Sequence, residues 1–380
     1  MKFIHLSDLH LGKRVNEFSM LEDQKYILLK ILQIIKSEKP DGVLIAGDIY
    51  DKSIPPAEAV QLFDEFLTRL AELAVQVFII SGNHDSAERI AFGSRLMDAS
   101  GIHMCPVYDG SVASHTMEDA FGPVNIYLLP FLKPAHVRRF FPEASIETYT
   151  DALRTVIDNI ALQKEQRNLV VTHQFVTGAA RSESEDLTVG GTDNVDAEVF
   201  DGFDYVALGH IHGPQKISRD TVRYCGTPLK YSFSEVSHKK SVTIVELFEK
   251  GRVEIRTEEL TPLRDLREIR GTWDQVTLKA NYEHTNTEDY MHVTLLDEED
   301  IPDAAAKLRV IYPNLMRLDY DNKRTRSTRS TRSLGTIDDI KTRSPLELFS
   351  EFYENRNNQP MSDVQTEYMQ ALIEKLKEVE

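Results

Sequence analysis

The stretch Val43-Leu44-Ile45-Ala46-Gly47-Asp48-Ile49-Tyr50-Asp51 decides the fold that we predict for this chain. Its apolar residues form a short run without alternation, and the run ends abruptly in Gly-Asp. Such a run is typical of a strand buried on both faces of a sheet, whose carboxyl end opens into a loop. Asp48 would then lie at a strand tip, where open α/β sheets place their ligand crevices.

Four other apolar runs end in the same kind of loop. They are followed by Ser7-Asp8-Leu9-His10, Ser81-Gly82-Asn83-His84-Asp85, Thr172-His173 and Gly209-His210-Ile211-His212. Five strands therefore deliver Asp, His, Asn and Gly to their carboxyl ends. We expect these side chains to form one site, in which Asp48 bridges two metal ions.

The bulk properties of the chain set limits on its class. With 380 residues it is expected to form more than one domain. No apolar run is long enough for a membrane span, no secretory signal precedes the first strand, and two distant cysteines suit a reducing compartment. These features predict a cytoplasmic protein.

The net charge of −17 argues against a free-standing nucleic-acid binder, because such proteins usually carry a basic surplus. Two considerations weaken this objection. Bound divalent cations change the local field of a site, and a partner protein can supply most of the phosphate contacts.

Four segments are predicted along the chain. Residues 1–262 alternate strands and helices and predict an α/β system with a mixed second sheet, with helices near residues 21–37, 55–73, 86–99 and 147–162. Residues 263–321 form a small accessory domain in which no strand ends in a metal-type residue. Residues 322–343 are a basic flexible linker, and residues 344–380 are a helical tail.

The last two segments leave alternatives open. The linker contains Thr-Arg-Ser three times from Thr325 to Ser333, and either serves as a solvated spacer or touches DNA. Capping boxes at Ser344-Pro345-Leu346-Glu347 and Ser362-Asp363-Val364-Gln365 begin two amphipathic helices. These helices either fold back on the body or grip a partner helix, and the linker favours the partner.

The predicted ligands combine carboxylate, amide and imidazole groups without a thiolate. This mixture disfavours a structural zinc site and suits Mn²⁺ or iron. One ion cannot accommodate all of them, but two ions about 3.5–4 Å apart can, if Asp48 is shared. The seven predicted ligands are Asp8, His10, Asp48, Asn83, His173, His210 and His212.

Two further residues are predicted to act in catalysis. His84 follows a predicted ligand and can hydrogen-bond a phosphate or protonate a leaving oxygen. Asp51 lies three residues after Asp48, where its carboxylate can orient the His84 imidazole. The remaining seven histidines are expected to be surface or core residues: His5, His103, His115, His136, His238, His284 and His292.

Single motifs such as Asp-x-His or Gly-Asp-x-x-Asp are weak signals, whereas their ordered series at five strand ends is specific. The series resembles the calcineurin-like metallophosphoesterases, and more closely the SbcD-type family of bacterial double-strand-break repair nucleases. The resemblance covers nearly the whole chain except the Thr-Arg-Ser repeat. It rests on the segments His5–Gly12, Gly82–Asp85, Tyr205–His212, Tyr224–Leu229, Tyr231–Glu235 and Pro262–Arg267.

The resemblance implies a four-layer sandwich of two mixed sheets flanked by helices, a small α+β capping domain and C-terminal helices. It implies two ligand sets that share Asp48, and His84 as the catalytic histidine. Some relatives have His where this chain has Asp51, so the role of Asp51 depends less on the family pattern. The first set is Asp8, His10, Asp48 and His212, and the second is Asp48, Asn83, His173 and His210.

The resemblance also implies an assembly. Two copies would pair through helices near residues 56–73 and 86–99, and Phe63 and Leu67 would serve either that homodimer or the core. The tail would bind the coiled-coil base of a large SbcC-type ATPase, giving a heterotetramer that supplies much of the grip on DNA.

Three functions are compatible with the site. The first is an Mn²⁺-dependent exonuclease and endonuclease that acts on DNA ends and hairpins in repair, recombination and replication. The second is a phosphatase or phosphodiesterase for a small phosphoester, which would not need the accessory domain, linker and tail. The third is a noncatalytic DNA-end scaffold, which the complete ligand set disfavours.

Overall fold

The computed structural model describes residues 1–185, 193–323, 325, 344–347, 349–350, 353 and 360–377. The chain divides into two compact units, Met1–Asp265 and Leu266–Glu380. Most of the segment that we predict as a linker lies outside the described residues. The α-helices in the described part of the first unit are α1 (Leu21–Glu38), α2 (Ala57–Glu72), α3 (Ala87–Ile90), α4 (Ser94–Met97), α5 (Pro134–Arg138) and α6 (Tyr149–Asp158).

The first unit contains two six-stranded sheets. In spatial order, the first sheet comprises Val253–Glu259, Ser241–Leu247, Lys2–Leu6, Gly42–Ala46, Gln76–Ile80 and Ile102–Cys105. The second comprises Gln215–Ile217, Arg219–Tyr224, Tyr205–Gly209, Arg167–His173, Gly122–Leu129 and Ala113–Asp119. Both sheets mix parallel and antiparallel pairs. Two-stranded pairs join Arg14–Val15 to Phe18–Ser19 and Phe175–Val176 to Asn194–Val195.

The two large sheets pack face to face over an apolar core. Phe3 and Phe78 from the first sheet lie in one cluster with Ile126 and Val171 from the second. The outer face of the second sheet packs against α6, whose Leu153 is fully buried. Strands covered on both faces must be apolar at nearly every position, which explains their continuous apolar runs.

The predicted helices are present with two differences. The helix predicted at 147–162 is shorter, because only residues 149–158 are α-helical. The helix predicted at 86–99 is broken into α3 and α4, followed by a 3₁₀ turn. Gly93 separates the two pieces with a φ of 76°, a left-handed conformation that ends a helix.

The second unit contains a three-stranded parallel sheet formed by Leu266–Gly271, Tyr290–Leu295 and Leu315–Tyr320. Parallel neighbours require crossover connections, and the sequence did not predict the helices at Trp273–Thr277 and Lys279–Tyr282 in the first of them. The second crossover contains the helix Ala304–Arg309. The core of the second unit includes Met291, Val293, Leu308 and Leu315.

Both predicted capping boxes are present in the tail. The Ser344 hydroxyl accepts the Glu347 amide hydrogen at 3.2 Å, and the Ser362 hydroxyl accepts that of Gln365 at 3.4 Å. The second box precedes the helix Asp363–Lys377. Among the described helices, none combines the length and apolar composition needed to cross a membrane.

Candidate metal centre

The carboxyl ends of the central strands of both sheets meet at one place. Within the first sheet, the Asp8 amide donates to the Gly47 carbonyl at 3.0 Å. Between the sheets, the His210 amide donates to Asp8 Oδ1 at 3.0 Å. The ring of His173 donates through Nδ1 to the Ala46 carbonyl at 2.8 Å. These bonds connect the predicted ligand loops of the two sheets directly.

Two glycines permit this close approach. A Cβ atom at Gly209 would lie 1.8 Å from the Ala46 carbonyl oxygen, and one at Gly82 would lie 2.1 Å from Asp48 Oδ1. Neither distance is sterically allowed for a side chain. Gly209 therefore lets the two sheets touch, and Gly82 lets the loops after two neighbouring strands of the first sheet touch.

Four of the predicted ligands have a left-handed backbone. The φ angles of Asp8, His10, Asp48 and His210 are 52°, 45°, 50° and 105°. Such angles are uncommon for residues other than glycine, and they concentrate at functional sites. The backbone therefore turns sharply at each of these four predicted ligands.

The first predicted ligand set forms a compact group. Donor atoms of Asp8, His10 and His212 all lie within 4.8 Å of one another. The Nε2 atoms of His10 and His212 are 3.1 Å apart. His10 Nε2 is also 3.7 Å from Asp48 Oδ2, which adds the fourth member of the set.

The second predicted set lies on the other side of Asp48. Asn83 Oδ1 is 3.0 Å from His173 Nε2 and 2.9 Å from His210 Nδ1. Asp48 Oδ2 is 3.4 Å from His173 Nε2. The structure thus brings all seven predicted ligands together, and one oxygen of Asp48 faces a histidine from each set.

Burial and mutual charge shift the pKa values of these groups. Burial raises the pKa of Asp8 to about 6. Burial would also raise the pKa of Asp48, but the charges of His173 and other nearby histidines hold it well below its usual range. In return, although burial opposes it, Asp48 raises the pKa of His173 to about 9. Burial lowers the pKa of His210 to about 3, which keeps that ring neutral.

The donor set fits divalent cations. Carboxylate, amide and imidazole groups converge here in a buried space. Burying polar groups without partners costs free energy, and a cation bound between them would offset that cost. His173 and His212 turn their Nδ1 atoms towards the Ala46 carbonyl and the Ser184 hydroxyl, which leaves both Nε2 atoms for an ion. A cation would take the place of the proton on His173.

His84 lies at the edge of this group. Its Nε2 is 3.9 Å from Asp48 Oδ2, and its amide donates to Asp48 Oδ1 at 2.9 Å. Its contact with Asp51 differs from the predicted one, because His84 Nδ1 lies 3.0 Å from the Asp51 backbone carbonyl. The Asp51 carboxylate instead receives Lys13 Nζ at 2.7 Å. The orienting group on the imidazole is thus the main chain of Asp51.

Sequence reasoning missed the role of Asp85. This buried carboxylate accepts the amide hydrogens of Ile49, Tyr50 and Gly82 at 3.0–3.1 Å. It therefore fastens the loop that carries Asn83 to the loop that carries Asp48. Its position in the Gly-Asn-His-Asp motif is the sequence feature that could have indicated this role.

A buried polar chain behind His212 was also missed. The Ser184 hydroxyl donates to Glu235 and lies 2.6 Å from His212 Nδ1. Glu235 forms an ion pair with Lys240 at 2.5 Å, and both side chains are almost fully buried. Burial opposes ionisation of Glu235, but its contacts with His212 and Lys240 lower its pKa. No local sequence pattern predicts the contacts of Glu235. The residue only falls within the segment Tyr231–Glu235, which carries part of the family resemblance.

Two family models match the chain. The calcineurin-like phosphoesterase model matches residues 1–214. A model described as the type 5 capsule protein repressor C-terminal domain matches residues 262–357. The first match contains every predicted metal ligand.

Curated relatives match over most of their length. A protein from Staphylococcus epidermidis, named as the SbcD component of the SbcCD nuclease, is 32% identical over 98% of both chains. Its namesake from Staphylococcus saprophyticus is 36% identical over 84% of both chains. Among solved structures, a dimetal phosphatase from Danio rerio is 12% identical and covers 68% of this chain and 96% of its own, with a TM-score of 0.42.

Proposed function

Because the chain belongs to the SbcD-type nuclease family of calcineurin-like phosphoesterases, we propose that it is a two-metal, Mn²⁺-dependent DNA exonuclease and endonuclease acting at ends and hairpins. The predicted resemblance and the predicted sandwich fold are confirmed by the family matches. The observation that supports two ions most strongly is the single Asp48 oxygen facing both ligand sets. The ligand division and the metal identity belong to this proposal.

When bound, two such ions would supply the positive charge that activates a water and clamps the phosphoryl oxygens. Hydrolysis joins the water oxygen to phosphorus, breaks the bond to the leaving sugar oxygen and requires a proton on that oxygen. His84 is in position to supply this proton, because its Nδ1 is occupied by the Asp51 carbonyl and its Nε2 faces the centre. Asp8, His10, Asn83, His173, His210 and His212 would complete the two ligand sets around Asp48.

Substrate choice gives the most direct test. Purified protein with Mn²⁺ should cleave labelled linear duplexes and hairpins, and should cleave methyl 4-nitrophenyl phosphate slowly. Metal-free protein should cleave neither. Cleavage of the small ester without cleavage of DNA would replace the nuclease with a small-phosphoester enzyme.

We also propose a homodimer formed through α3 and α4. Phe92 and Leu96 are 87% and 83% exposed there, whereas Phe63 and Leu67 are buried in the core. Large exposed apolar side chains close together mark interaction sites. Replacing Phe92 and Leu96 with Asp should convert a dimer to a monomer in light scattering after size exclusion, and an unchanged mass would exclude this interface.

We propose that the tail, residues 344–380, binds the SbcC-type ATPase within a heterotetramer. The helix Asp363–Lys377 leaves Val364 and Tyr368 exposed at 75% and 67%. An apolar stripe at helical spacing suits a partner helix. Deleting the tail should abolish co-elution with the ATPase, whereas retained co-elution would refute this assignment.

We retain the division into a nuclease domain at 1–262, a capping domain at 263–321, a linker at 322–343 and the tail. We place the protein in the cytoplasm, acting in DNA repair, recombination and replication. Fractionation of cells that express a tagged chain would test the location, with recovery outside the cytoplasm as the contrary result.

A further inference from the structure

A cavity of about 310 Å³ opens beside the second ligand set. Gly82 and Asn83 of the metal-centre loop form one wall, and Phe131 stands at the junction with the centre. The Phe131 ring is parallel to the His210 ring, with 6.5 Å between centroids. A molecule in this cavity would therefore lie next to the reacting phosphate of a substrate bound at the centre.

The cavity is lined by two basic and two acidic side chains that do not pair with one another among the described residues. Lys133 and Arg139 line it and are exposed, and within the described residues neither forms an ion pair. Of its two acidic side chains, Asp85 is occupied by three backbone amides, and Glu88 lies at the rim near the Ser86 hydroxyl. Neither carboxylate pairs with Lys133 or Arg139, so both cations are available to an anion that enters the cavity.

The cavity also presents aromatic faces. Tyr108 and Phe140 meet edge to face with centroids 5.5 Å apart, and Phe140 remains 44% exposed. Gly110 makes room for the Phe140 ring, because a Cβ atom there would lie 2.6 Å from it. Lys133 Nζ lies 5.9 Å from the Phe131 ring centroid. Cations interleaved with aromatic rings are typical of sites for single-stranded nucleic acid.

We propose that this cavity binds the unpaired nucleotide adjacent to the scissile phosphodiester. Its base stacks on the exposed ring of Phe140, which Tyr108 supports edge to face, and its phosphate is held by Lys133 and Arg139. The cavity volume lies at the lower end of the range for small-ligand sites, roughly 300–1,000 Å³, and accommodates one nucleotide but not a base pair. This inference rests on the proposed nuclease function and specifies which part of the DNA the site recognises.

The cationic half of the proposal is tested by Lys133→Gln together with Arg139→Gln. The KM for DNA with an unpaired end should rise about tenfold or more, with a smaller change in kcat. The slope of log KM against log salt should fall by about 0.7, since the two cations hold one single-strand phosphate and each such phosphate contributes about 0.7. Metal content and hydrolysis of methyl 4-nitrophenyl phosphate should not change.

A matched control comes from Lys36→Gln together with Arg69→Gln. These two side chains are exposed on α1 and α2, and within the described residues neither forms an ion pair. If both double variants change the KM and the salt slope equally, the cavity has no special role and the inference is overturned. If the unaltered protein cleaves the small ester but no DNA, the proposed nuclease function fails instead.

The aromatic half is tested with DNA that carries a single abasic site. Moving the abasic site along an unpaired strand should reduce kcat/KM roughly fivefold or more at one position next to the cleaved bond. In protein with Tyr108→Leu and Phe140→Leu, that position should lose its sensitivity. Small-ester hydrolysis reports whether this variant is folded. A uniform response along the strand, or sensitivity that survives the substitutions, would refute base stacking here.

Discussion

Two regions of this molecule contain parallel strands with histidine and acidic residues, and only one of them is built like a metal centre. In the first unit, these residues follow the strand ends and are buried. In the second unit, His292 lies inside the strand Tyr290–Leu295 and pairs with Glu268 at 2.8 Å and Asp319 at 2.9 Å on neighbouring strands. Both carboxylates are largely or partly exposed.

The difference lies in how the donors are satisfied. Both ring nitrogens of His292 have carboxylate partners, so this ladder is complete without an ion. At the candidate metal centre, His10 Nε2 and His212 Nε2 face each other with Asp48 nearby. Atoms that can bind a cation therefore lie next to one another. Parallel strands alone therefore do not bring unsatisfied ligand groups together, whereas the sharp turns at these buried strand ends do.

The largest expected effect is that of Asp48→Asn. Because one Asp48 oxygen faces both ligand sets, this change should remove both ions together and lower phosphodiester hydrolysis by about 10³-fold or more. Metal analysis after dialysis measures the stoichiometry. The matched change in the second unit, Asp319→Asn, should leave it unaltered. Loss of a single ion from Asp48→Asn would mean that the ligands are divided differently.

The next effect is that of His84→Ala. Loss of the proton donor should lower kcat for DNA by about 10²–10⁴-fold, the usual range for general acid–base catalysis, while metal content largely persists. Asp51→Ala should have a much smaller effect on kcat, because its backbone carbonyl remains to orient the imidazole. Unchanged cleavage by His84→Ala would exclude a catalytic role.

Substituting two glutamates compares the stability contribution of a buried ion pair with that of an exposed one. Glu235→Gln removes the partner of buried Lys240 and should lower the free energy of unfolding by about 3–5 kcal/mol. Glu268→Gln breaks an exposed pair and should cost about 0–1 kcal/mol. Urea unfolding of the two variants measures this difference. Equal losses in the free energy of unfolding would show that the buried polar contacts behind His212 are not specially stabilising.

The smallest contrast concerns two glycines that each end a strand. Gly209→Ala would place a Cβ atom 1.8 Å from the Ala46 carbonyl, so the two sheets must separate, at about 1–3 kcal/mol or more. Gly271→Ala meets side-chain atoms alone, the nearest being the Gln275 oxygen at 3.0 Å and the Gln275 Cβ at 3.2 Å, so a small shift of that side chain can accommodate it. Thermal unfolding should rank the variants in this order, and similar melting temperatures would contradict it.

The sequence predicted the first unit well where burial dominates. Strands covered on both faces are continuous apolar runs, so their ends and the polar residues after them could be located from the residues alone. Edge strands are different. Ala113–Asp119 is half exposed and contains few apolar residues, so the sequence did not predict it.

Contacts between distant segments account for the other misses. The pairing of Glu235 with Ser184 and His212 depends on the arrangement of loops from both sheets, which no local pattern encodes. The direction of the Asp51 side chain was mispredicted for a similar reason, since Lys13 approaches from the preceding loop. Charge partners of this kind become visible only once the chain is folded.

The left-handed backbone at Asp8, Asp48 and His210 links cation uptake to folding. Residues held in sparsely populated conformations cost of order 1–3 kcal/mol each, and a whole domain is stable by only about 5–15 kcal/mol. An ion that binds the folded chain alone adds RT ln(1 + [L]/Kd) to its stability, which offsets this cost. The concentration of free divalent cation would then set both the activity of this protein and the fraction of its copies that stay folded.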